Sequence, residues 1–451
     1  METGMERQYK DSGIEWIGRI PKGWNYTKLF NLCTIKGRIG WNGLRSDEFK
    51  ENSYAYLVTG QDFRSSEIDW SKCYQIDKER YDEDPFIQLE NGDLLITKDG
   101  TIGKIAKVSN MDKPACLNSG IFVMKQRNRC FVQNYLYWYL VSPLLLDYNS
   151  YINSGGTTIM HLYQNVFERF HLLIPTIEEQ QRIADYLDKK CGEIDSLISL
   201  QEQMIAQLTD YKQSVITEAV TKGLDPKVEL IPSGIDWIGD YPKHWKICKI
   251  KHCLKQENNN LRVGPFGSAL AGNDFKTEGY WVYNQRSVLD NNFSTNDTFV
   301  DEEKYFELKS FEVLPGDVLI TTRGSIGKIA VVPDNAPKGI LHPCIIRFVI
   351  DETKYDIALL KHIFNGSEIV LNQMRNQSNS TTIDVLYSYV LKNLVLTLPP
   401  LDEQRIIATY LNNKCAEIDA LIALKQQKIE TLKDYKKSLI YEAVTGKMEI
   451  V

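Results

Sequence analysis

Four side chains of the types that bind zinc lie close together in the second half of the chain. They are His244, Cys248, His252 and Cys253. Zinc sites in proteins use such ligands at characteristic short intervals, and this spacing fits no common site. The matching stretch of the first half supplies only Cys33. We therefore predict buried thiols and surface histidines here, and no metal site.

A carboxylate followed by a lysine, as in some metal-dependent nucleases, occurs at Asp93 and Lys98. The matching positions further along the chain are Asp317 and Thr322, so the lysine is missing there and a strand after a Gly-Asp turn explains the fragment better. The sequence contains no GxxxxGK[ST], GxGxxG, HExxH or paired CxxC motif. We therefore expect no catalytic residue and no cofactor bound by this chain.

Several loops are rich in the side chains that recognise nucleic acids. Arg and Lys reach guanine O6 and N7, Asn and Gln reach adenine, and hydroxyl groups grip phosphates. Trp41 lies in the first of these loops, and the turns at 156–158 and 380–382 are either further contacts or helix N-caps. The predicted DNA-binding residues are Lys36, Arg38, Arg45, Gln61, Arg64, Lys98, Thr101, Lys104, Arg262, Gln285, Arg286, Arg323, Ser325 and Lys328.

These loops belong to a frame that the chain encodes twice. The segment SGIEWIGRIPKGW at 12–24 recurs as SGIDWIGDYPKHW at 233–245. Likewise, GDLLITKDGTIGKIAKV at 92–108 recurs as GDVLITTRGSIGKIAVV at 316–332. Self-similarity at so long a period indicates a repeated structural unit. The chain therefore consists of two copies of one unit of roughly 220 residues.

The two copies differ between the matched segments. The longest match aligns 178–221 with 402–445, where about 26 of 44 positions are identical. In contrast, 36–64 and 262–292 bear little relation to each other. Shared frames around unlike inserts indicate one scaffold that presents two different surfaces.

The longest match predicts a long helix in each copy. Its apolar residues recur at intervals of three and four without an intervening proline. A helix of about 44 residues is roughly 66 Å long, so one small globular domain could not cover it. An antiparallel coiled coil of the two copies, with pseudo-twofold symmetry, would bury both stripes. The predicted helix-pairing residues are Ile183, Leu187, Ile194, Leu197, Ile205, Leu208, Ile407, Leu411, Ile418, Leu421, Ile429 and Leu432.

The remaining sequence predicts a mixed α/β fold in two globular domains. Strands are expected at Tyr54–Thr59, Asp93–Thr97 and Ile102–Val108, and helices at 131–148 and 355–375. The expected division is a first globular domain at 1–174, a central long-helix region at 175–223, a second globular domain at 224–397 and a C-terminal long-helix region at 398–451.

The net charge of −6 argues at first against a nucleic-acid partner. Residues 174–221, however, carry 4 basic and 9 acidic side chains, whereas residues 1–173 carry 21 of each kind. The globular parts are thus close to neutral and can hold a basic face. The acidic helix is better suited to contact protein.

The cysteine content and hydropathy predict a cytoplasmic protein. Nine cysteines without a CxxC pair indicate reduced thiols rather than a disulfide framework. The polar N-terminus has no apolar signal region, and no stretch reaches the roughly 18 apolar residues of a membrane span. We expect no membrane partner.

The combined pattern resembles the DNA-specificity subunit of type I restriction-modification systems. The resemblance rests on the two SGI(E/D)WIG segments, the GDLLITKDGTIGK and GDVLITTRGSIGK segments, and SGGTTIMHLYQNV with its counterpart SNSTTIDVLYSYV. It rests also on IPTIEEQQRIADYLDKKCGEIDSLI and LPPLDEQRIIATYLNNKCAEIDALI, and so spans nearly the whole chain. Thr176 stands where the second copy has Pro400, which leaves the start of the first helix uncertain.

This resemblance implies a specific division of labour. The globular domains would be target-recognition domains, each reading one half of a bipartite, asymmetric site on double-stranded DNA. The subunit itself would not be catalytic. Two methyltransferase subunits would bind it, and restriction subunits would act as translocase and nuclease. S-adenosylmethionine, ATP and Mg²⁺ would then belong to those partner subunits.

Two other functions compete with this interpretation. A bivalent coiled-coil adaptor, whose two globular domains grip proteins, would share the long paired helices. The unlike inserts, rich in amide and basic side chains, favour DNA instead. An enzyme with its own nuclease or transferase site lacks the motifs that such chemistry requires.

Overall fold

The computed structural model describes residues 7–38, 44–127, 131–152, 161–266, 269–377 and 385–450. Trp41 and the turns at 156–158 and 380–382 lie outside these residues. The chain forms two compact units: unit 1 comprises residues 1–201 and 427–451, and unit 2 comprises residues 202–426. Each unit therefore includes part of both long helices, and the four-part division made from the sequence stays a prediction.

Both units contain helices and short strands. The helices are α1 (Leu29–Leu32), α2 (Lys78–Asp82), α3 (Gln133–Val141), α4 (Leu144–Ile152), α5 (Gln164–Phe167), α6 (Ile177–Lys222), α7 (Gln285–Leu289), α8 (Glu302–Glu307), α9 (Ile357–Gly366), α10 (Ile369–Gln377), α11 (Ser388–Asn393) and α12 (Leu401–Thr445). The strands of unit 1 are β1 (Tyr9–Asp11), β2 (Arg19–Pro21), β3 (Asn25–Lys28), β4 (Cys33–Lys36), β5 (Ala55–Val58), β6 (Phe63–Arg64), β7 (Glu67–Ile68), β8 (Tyr74–Ile76), β9 (Leu94–Thr97), β10 (Ile105–Lys107), β11 (Ala115–Leu117), β12 (Ile121–Gln126) and β13 (His171–Ile174). Those of unit 2 are β14 (Leu230–Pro232), β15 (Asp240–Pro242), β16 (Lys246–Lys249), β17 (Leu261–Val263), β18 (Tyr280–Tyr283), β19 (Phe299–Val300), β20 (Glu312–Val313), β21 (Val318–Thr321), β22 (Ile329–Val331), β23 (Gly339–Leu341), β24 (Ile345–Phe348) and β25 (Val395–Leu398).

The two units share a sheet plan. Unit 1 has a sheet in the order β4-β12-β9-β10-β7-β6 and a second in the order β11-β5-β8. Unit 2 has the orders β17-β24-β21-β22 and β19-β18-β23-β20. In each unit a fully buried central strand, β9 or β21, pairs antiparallel with its neighbours on both sides. Both cores therefore contain the same central hairpin, and the edges of the sheets differ.

Two predicted helices are each divided in two. The expected helix at 131–148 ends at Val141, and the next begins at Leu144, with Pro143 between them. The expected helix at 355–375 likewise breaks at Ser367 between α9 and α10. Proline lacks the backbone donor that a continuous helix requires, which explains the first break. In the second, Ser367 has an extended backbone and its hydroxyl donates to the Ile363 carbonyl.

The long helices run antiparallel within each unit. In unit 1 Lys436 Nζ lies 2.6 Å from Asp195 Oδ1, and the Tyr186 hydroxyl lies 3.9 Å from Met448 Sδ. In unit 2 the corresponding ion pair joins Lys212 to Asp419 at 2.6 Å. Within the part of the chain that the structure describes, neither these helices nor any other is long and apolar enough to cross a bilayer.

The helices begin at equivalent positions, Ile177 and Leu401. The predicted difference at Thr176 does not move the start, because the Thr176 hydroxyl accepts a hydrogen bond from the Glu179 amide at 3.3 Å. A threonine hydroxyl in this place satisfies one of the free amides of the first turn. The threonine of the first copy and the proline of the second thus both directly precede the first residue of the long helix.

Most predicted pairing residues are shielded, but Leu197 and Leu421 are not. These two leucines are 45% and 48% exposed, which corrects the prediction that they line the seam. In α6 the shielded residues instead include Ile198, which is next to Leu197, and the buried Gln201. With these two residues the seam keeps the spacing of four and three residues that is typical of a coiled coil. Buried residues of the predicted set are Ile183, Leu187, Ile194, Ile407, Leu411, Ile418 and Ile429, and partly buried ones are Ile205, Leu208 and Leu432.

The repeated tryptophan segments anchor the ends of the long helices. In unit 1 the Trp24 indole donates to Glu179 Oε2 at 2.9 Å, near the start of α6, and its ring packs against Gly446 just beyond α12. In unit 2 the Trp245 ring packs against Gly223, just beyond α6. The segment of unit 1 therefore contacts both long helices, and that of unit 2 contacts the end of α6.

Candidate nucleic-acid interface

A tight turn follows the central strand of each unit, at residues 97–104 and 321–328. The buried Thr97 hydroxyl donates to the Thr101 carbonyl at 2.5 Å and accepts the Lys104 amide at 3.0 Å. Thr321 makes the same bonds to Ser325 and Lys328, at 2.5 and 3.1 Å. One hydroxyl thus fixes each turn from within and leaves the tip to project.

Glycines make this turn possible. Gly100 and Gly103 have positive φ angles of 69° and 83°, and Gly324 and Gly327 have 61° and 81°. Glycine adopts this region without steric cost, whereas other residues rarely do. The backbone at the tip is therefore the same in both units, and only the side chains can distinguish them.

In unit 1 the side chains of turn 97–104 divide into packed and projecting groups. Lys98 is half-buried, with Nζ 5.0 Å from the centre of the Phe122 ring. Asp99 Oδ1 lies 2.5 Å from His161 Nδ1. Thr101 and Lys104 are exposed. Of the predicted residues in this turn, these last two are the most accessible to a ligand.

Elsewhere in unit 1, four predicted DNA-binding residues are exposed. Arg45, Gln61 and Arg64 lie on the surface, and exposed Lys36 has Nζ 5.6 Å from the centre of the Phe86 ring. These residues belong to β4, β6 and their loops rather than to turn 97–104.

Arg38 is the exception, because it is only 2% exposed. Its Nε donates to the Leu117 carbonyl at 3.0 Å, and one terminal nitrogen lies 3.5 Å from Cys116 Sγ. A guanidinium engaged this deeply in the core supports the β-structure around it. This environment corrects the prediction of a DNA contact for Arg38, and we leave it out of the proposed surface.

Unit 2 brings several predicted residues together at turn 321–328. Gln285 Nε2 donates to the Arg323 carbonyl at 2.5 Å, and Arg323 and Ser325 are exposed. Arg286 lies beside Gln285 in α7, with a side chain that is 73% exposed although it pairs with Asp297 at 2.9 Å.

Lys328 and Arg262 are held by contacts within unit 2. Lys328 Nζ donates to the Asn365 carbonyl at 3.0 Å, and the Arg262 guanidinium lies 4.7 Å from the centre of the Phe311 ring. Both are partly buried. Packing of this kind fixes a long side chain and reduces its reach toward a ligand.

Three exposed tyrosines beside the turns were missed by the sequence analysis. The Leu162 amide donates to the Lys98 carbonyl, which places the exposed Tyr163 next to turn 97–104. In unit 2 exposed Tyr387 and Tyr389 follow Leu386 and stack with ring centres 5.9 Å apart. The signal in the sequence is the repeated Leu-Tyr pair, in which one residue is buried and the next is exposed.

The acidic residues near the turns have structural roles. Asp93 and Asp317 are buried, and each accepts a hydrogen bond from the backbone amide three residues earlier. Burial raises the pKa of both carboxyl groups, and Lys125 and Arg347 lie 3.5 and 3.3 Å away. Among the residues that the structure describes, no group of three metal-ligating side chains occurs. Asp93 and Asp317 are thus engaged in contacts within the fold.

The sequence matches a family model described as the type I restriction modification DNA specificity domain. The match covers residues 21–210 and again residues 258–434, and so most of the chain. The chain belongs to this family of type I restriction-modification DNA-specificity subunits. Its role is the recognition of DNA on behalf of a restriction-modification complex, and the specificity subunit is not the catalytic component.

Individual relatives agree with this assignment. The specificity subunit of the MjaVIII type I restriction enzyme from Methanocaldococcus jannaschii is 25% identical over 96% of this chain and 94% of its own. The EcoBI specificity subunit from Escherichia coli is 22% identical over 79% of this chain and 73% of its own.

Two solved structures share the fold. One, described as the structural basis of complex assembly and conformational transition of a type I R-M system, has a TM-score of 0.69 at 16% identity and covers 95% of this chain and 99% of its own. The HsdS subunit from Thermoanaerobacter tengcongensis has a TM-score of 0.50, also at 16% identity, and covers 95% of this chain and 98% of its own.

Each specificity-domain match contains one of the two turns. Turn 97–104 lies in the first match and turn 321–328 in the second. The specificity subunit thus carries the same projecting backbone feature in both of its domains, surrounded by different side chains.

Proposed function

We propose that each unit of this specificity subunit reads one half of a bipartite, asymmetric site on double-stranded DNA. The observation that carries the proposal is the pair of turns, which have the same hydrogen bonds but different tips. A fixed backbone that presents variable side chains is suited to direct readout of bases, in which side-chain chemistry sets the sequence. Unlike tips on like frames would give two unlike half-sites.

The contacts that we propose differ between the two units. In unit 1 the set is Lys36, Arg45, Gln61, Arg64, Lys98, Thr101 and Lys104, with Tyr163 added from the structure. In unit 2 the set is Arg262, Gln285, Arg286, Arg323, Ser325 and Lys328, with Tyr387 and Tyr389 added. The exposed members would make the contacts to bases and phosphates, and the packed members Lys98, Arg262 and Lys328 would mainly hold the surface in shape.

The long helices would set the separation of the half-sites and receive the partner subunits. Support comes from apolar side chains that the helices leave exposed. They include Leu197, Leu200 and Tyr435 in unit 1 and Tyr211, Leu421 and Leu424 in unit 2. Exposed apolar side chains that form a contiguous patch are typical of surfaces that bind another protein.

The composition of the complex follows from this role. Two methyltransferase subunits would dock on the helices and use S-adenosylmethionine, and restriction subunits would supply ATP- and Mg²⁺-dependent translocation and cleavage. The complex would act in the cytoplasm. The purified specificity subunit alone should then neither methylate nor cut DNA.

An exchange of segments tests the two-reader model. Residues 36–174 are replaced by those of a relative with a different target, and the chimera is co-expressed with its methyltransferase subunits. Mapping of methylated adenines across the genome should show a change in one half of the motif only. A second chimera, exchanged over 262–397, serves as the matched control and should change only the other half. A change in both halves from either chimera would contradict the model.

A further inference from the structure

Two cysteines of unit 2 hold their sulfur atoms against each other. Cys248 lies in β16, and Cys253 follows the short 3-10 helix Ile250–His252. Their Sγ atoms are 3.3 Å apart, and both are free thiols. This separation is a non-bonded contact, and only a small movement would be needed to join the two sulfurs.

The pair opens onto the surface through Cys248. A cavity of about 330 Å³ is lined by both cysteines and by the basic side chains of His244, Lys246 and Lys354. Cys248 is half-buried, whereas Cys253 is only 2% exposed. A small reagent can therefore reach the first sulfur and has the second directly behind it.

Hydrogen bonding between the thiols makes them chemically unequal. Either thiol can donate in this contact, and donation from Cys253 to the Cys248 sulfur lowers the pKa of Cys248 below its ordinary value. The same contact, with burial, raises the pKa of Cys253 well above its ordinary value. A thiolate is the reactive form of cysteine, so Cys248 is the nucleophile of the pair.

The repeated frame does not require this pair. The equivalent positions of the first copy are Thr27, in β3, and Leu32, the last residue of α1, and neither carries sulfur. Cys248 and Cys253 are therefore not explained by the packing that the two units share.

We propose that Cys248 and Cys253 form a peroxide-sensitive dithiol that closes reversibly to a disulfide. The Cys248 thiolate attacks one oxygen of hydrogen peroxide, the O–O bond breaks, and hydroxide leaves with the formation of a sulfenic acid. The Cys253 sulfur then attacks the Cys248 sulfur, the S–O bond breaks, and water leaves as the S–S bond forms. The two thiols are oxidised by two electrons and the peroxide is reduced, so no further reactant is needed.

The position of the pair gives the bond a structural consequence. β16 pairs antiparallel with β25, in which Leu396 lies opposite Cys248. β25 leads through Pro399 and Pro400 into α12. A disulfide here would tie the strand that borders the start of a long helix to the following turn, in unit 2 only.

The test uses the full-length subunit treated with hydrogen peroxide, alkylated and digested with trypsin without reduction. Because trypsin cleaves after Lys249 and Lys251, the disulfide would join peptides 247–249 and 252–255. We expect the linked pair to appear with the loss of two hydrogen atoms, and alkylation of Cys248 to fall about tenfold. A thiol reductant should restore it.

Two controls separate this reaction from general oxidation. Cys344 is also half-buried, but it lies elsewhere in unit 2 and should keep its alkylation at the same peroxide dose. The variant Cys253→Ser should yield no linked peptides and should leave Cys248 as a sulfenic acid that dimedone traps. The proposal is overturned if wild-type Cys248 stays fully alkylated at doses that oxidise Cys344. It is overturned also if peroxide links Cys248 between separate chains as often in the wild type as in the Cys253→Ser variant.

Discussion

Turn 97–104 and turn 321–328 have the same backbone and opposite charges at one position. Thr97 and Thr321 hold them with the same hydrogen bonds. At the tip, however, unit 1 has Asp99 where unit 2 has Arg323. The first is paired with His161, and the second projects with its carbonyl bound by Gln285. Under the proposed function, folding and recognition would thus depend on different atoms of the same eight residues.

The tryptophan segments of the two units differ in their hydrogen bonds. Trp24 and Trp245 occupy equivalent positions, yet only the Trp24 indole donates to a glutamate, Glu179. In unit 2 the matching carboxylate, Glu403, lies 2.9 Å from His244 instead, and the Trp245 indole nitrogen has no hydrogen-bond partner in the structure described. The two units therefore preserve the packing and not the polar contact. The comparison predicts which substitutions will have equal effects and which will not.

Loss of either tryptophan is expected to have the largest effect. Trp24→Ala and Trp245→Ala should each lower the free energy of unfolding by about 3–5 kcal/mol, because a large buried ring is removed. Phe substitutions should separate the two sites. Trp24→Phe should cost about 1.5–3 kcal/mol more than Trp245→Phe, since only Trp24 loses a hydrogen bond to a charged group.

Urea unfolding of the four variants checks this, with the slope m compared to ensure that the transitions are equivalent. Equal costs for the two Phe variants would mean that the indole of Trp245 is satisfied as well. Because alanine also lacks the indole N–H, the two Ala variants should differ by the same amount as the two Phe variants, and any further difference would mean that the packing is not shared.

A charge reversal at the turns should have the next largest effect. Arg323→Asp should weaken binding to the cognate DNA by about 1–3 kcal/mol, the range of one good base contact. Asp99→Asn should leave binding unchanged or strengthen it slightly, because a negative charge near phosphates is removed.

Equilibrium binding of the assembled methyltransferase complex at several salt concentrations provides the measurement. Phe306→Ala, an exposed change in α8 and outside the proposed surface, is the control for unit 2. If Arg323→Asp binds like the wild type, turn 321–328 does not face DNA. If Asp99→Asn loses discrimination at one base, Asp99 is itself a reader.

The repeat made much of the architecture predictable from the sequence. It located both long helices to within a residue or two and identified the central hairpins, since Leu94–Thr97 and Val318–Thr321 are apolar runs between strong turn signals. The seam was harder. Leu197 and Ile198 are adjacent apolar residues, and only the partner helix decides which one is shielded.

The candidate site was less predictable for a similar reason. Arg38 is an arginine in a basic loop by sequence, but the carbonyl of Leu117 that binds it lies far along the chain. Tyr163 and Tyr387 gave a signal only as the outer members of a repeated Leu-Tyr pair. Composition identifies which side chains could contact DNA, whereas exposure depends on strand pairings that no local pattern encodes.

The ion pairs between the long helices should have the smallest effect and should be equal in the two units. Lys436–Asp195 and Lys212–Asp419 share a 2.6 Å separation, and their aspartates are 59% and 57% exposed. Pairs this accessible to water contribute about 0.2–1 kcal/mol. Double-mutant cycles with Lys→Met and Asp→Asn should give matching coupling energies that fall as salt is added. A clear difference between the two cycles would show that the long helices, like the turns, have diverged between the units.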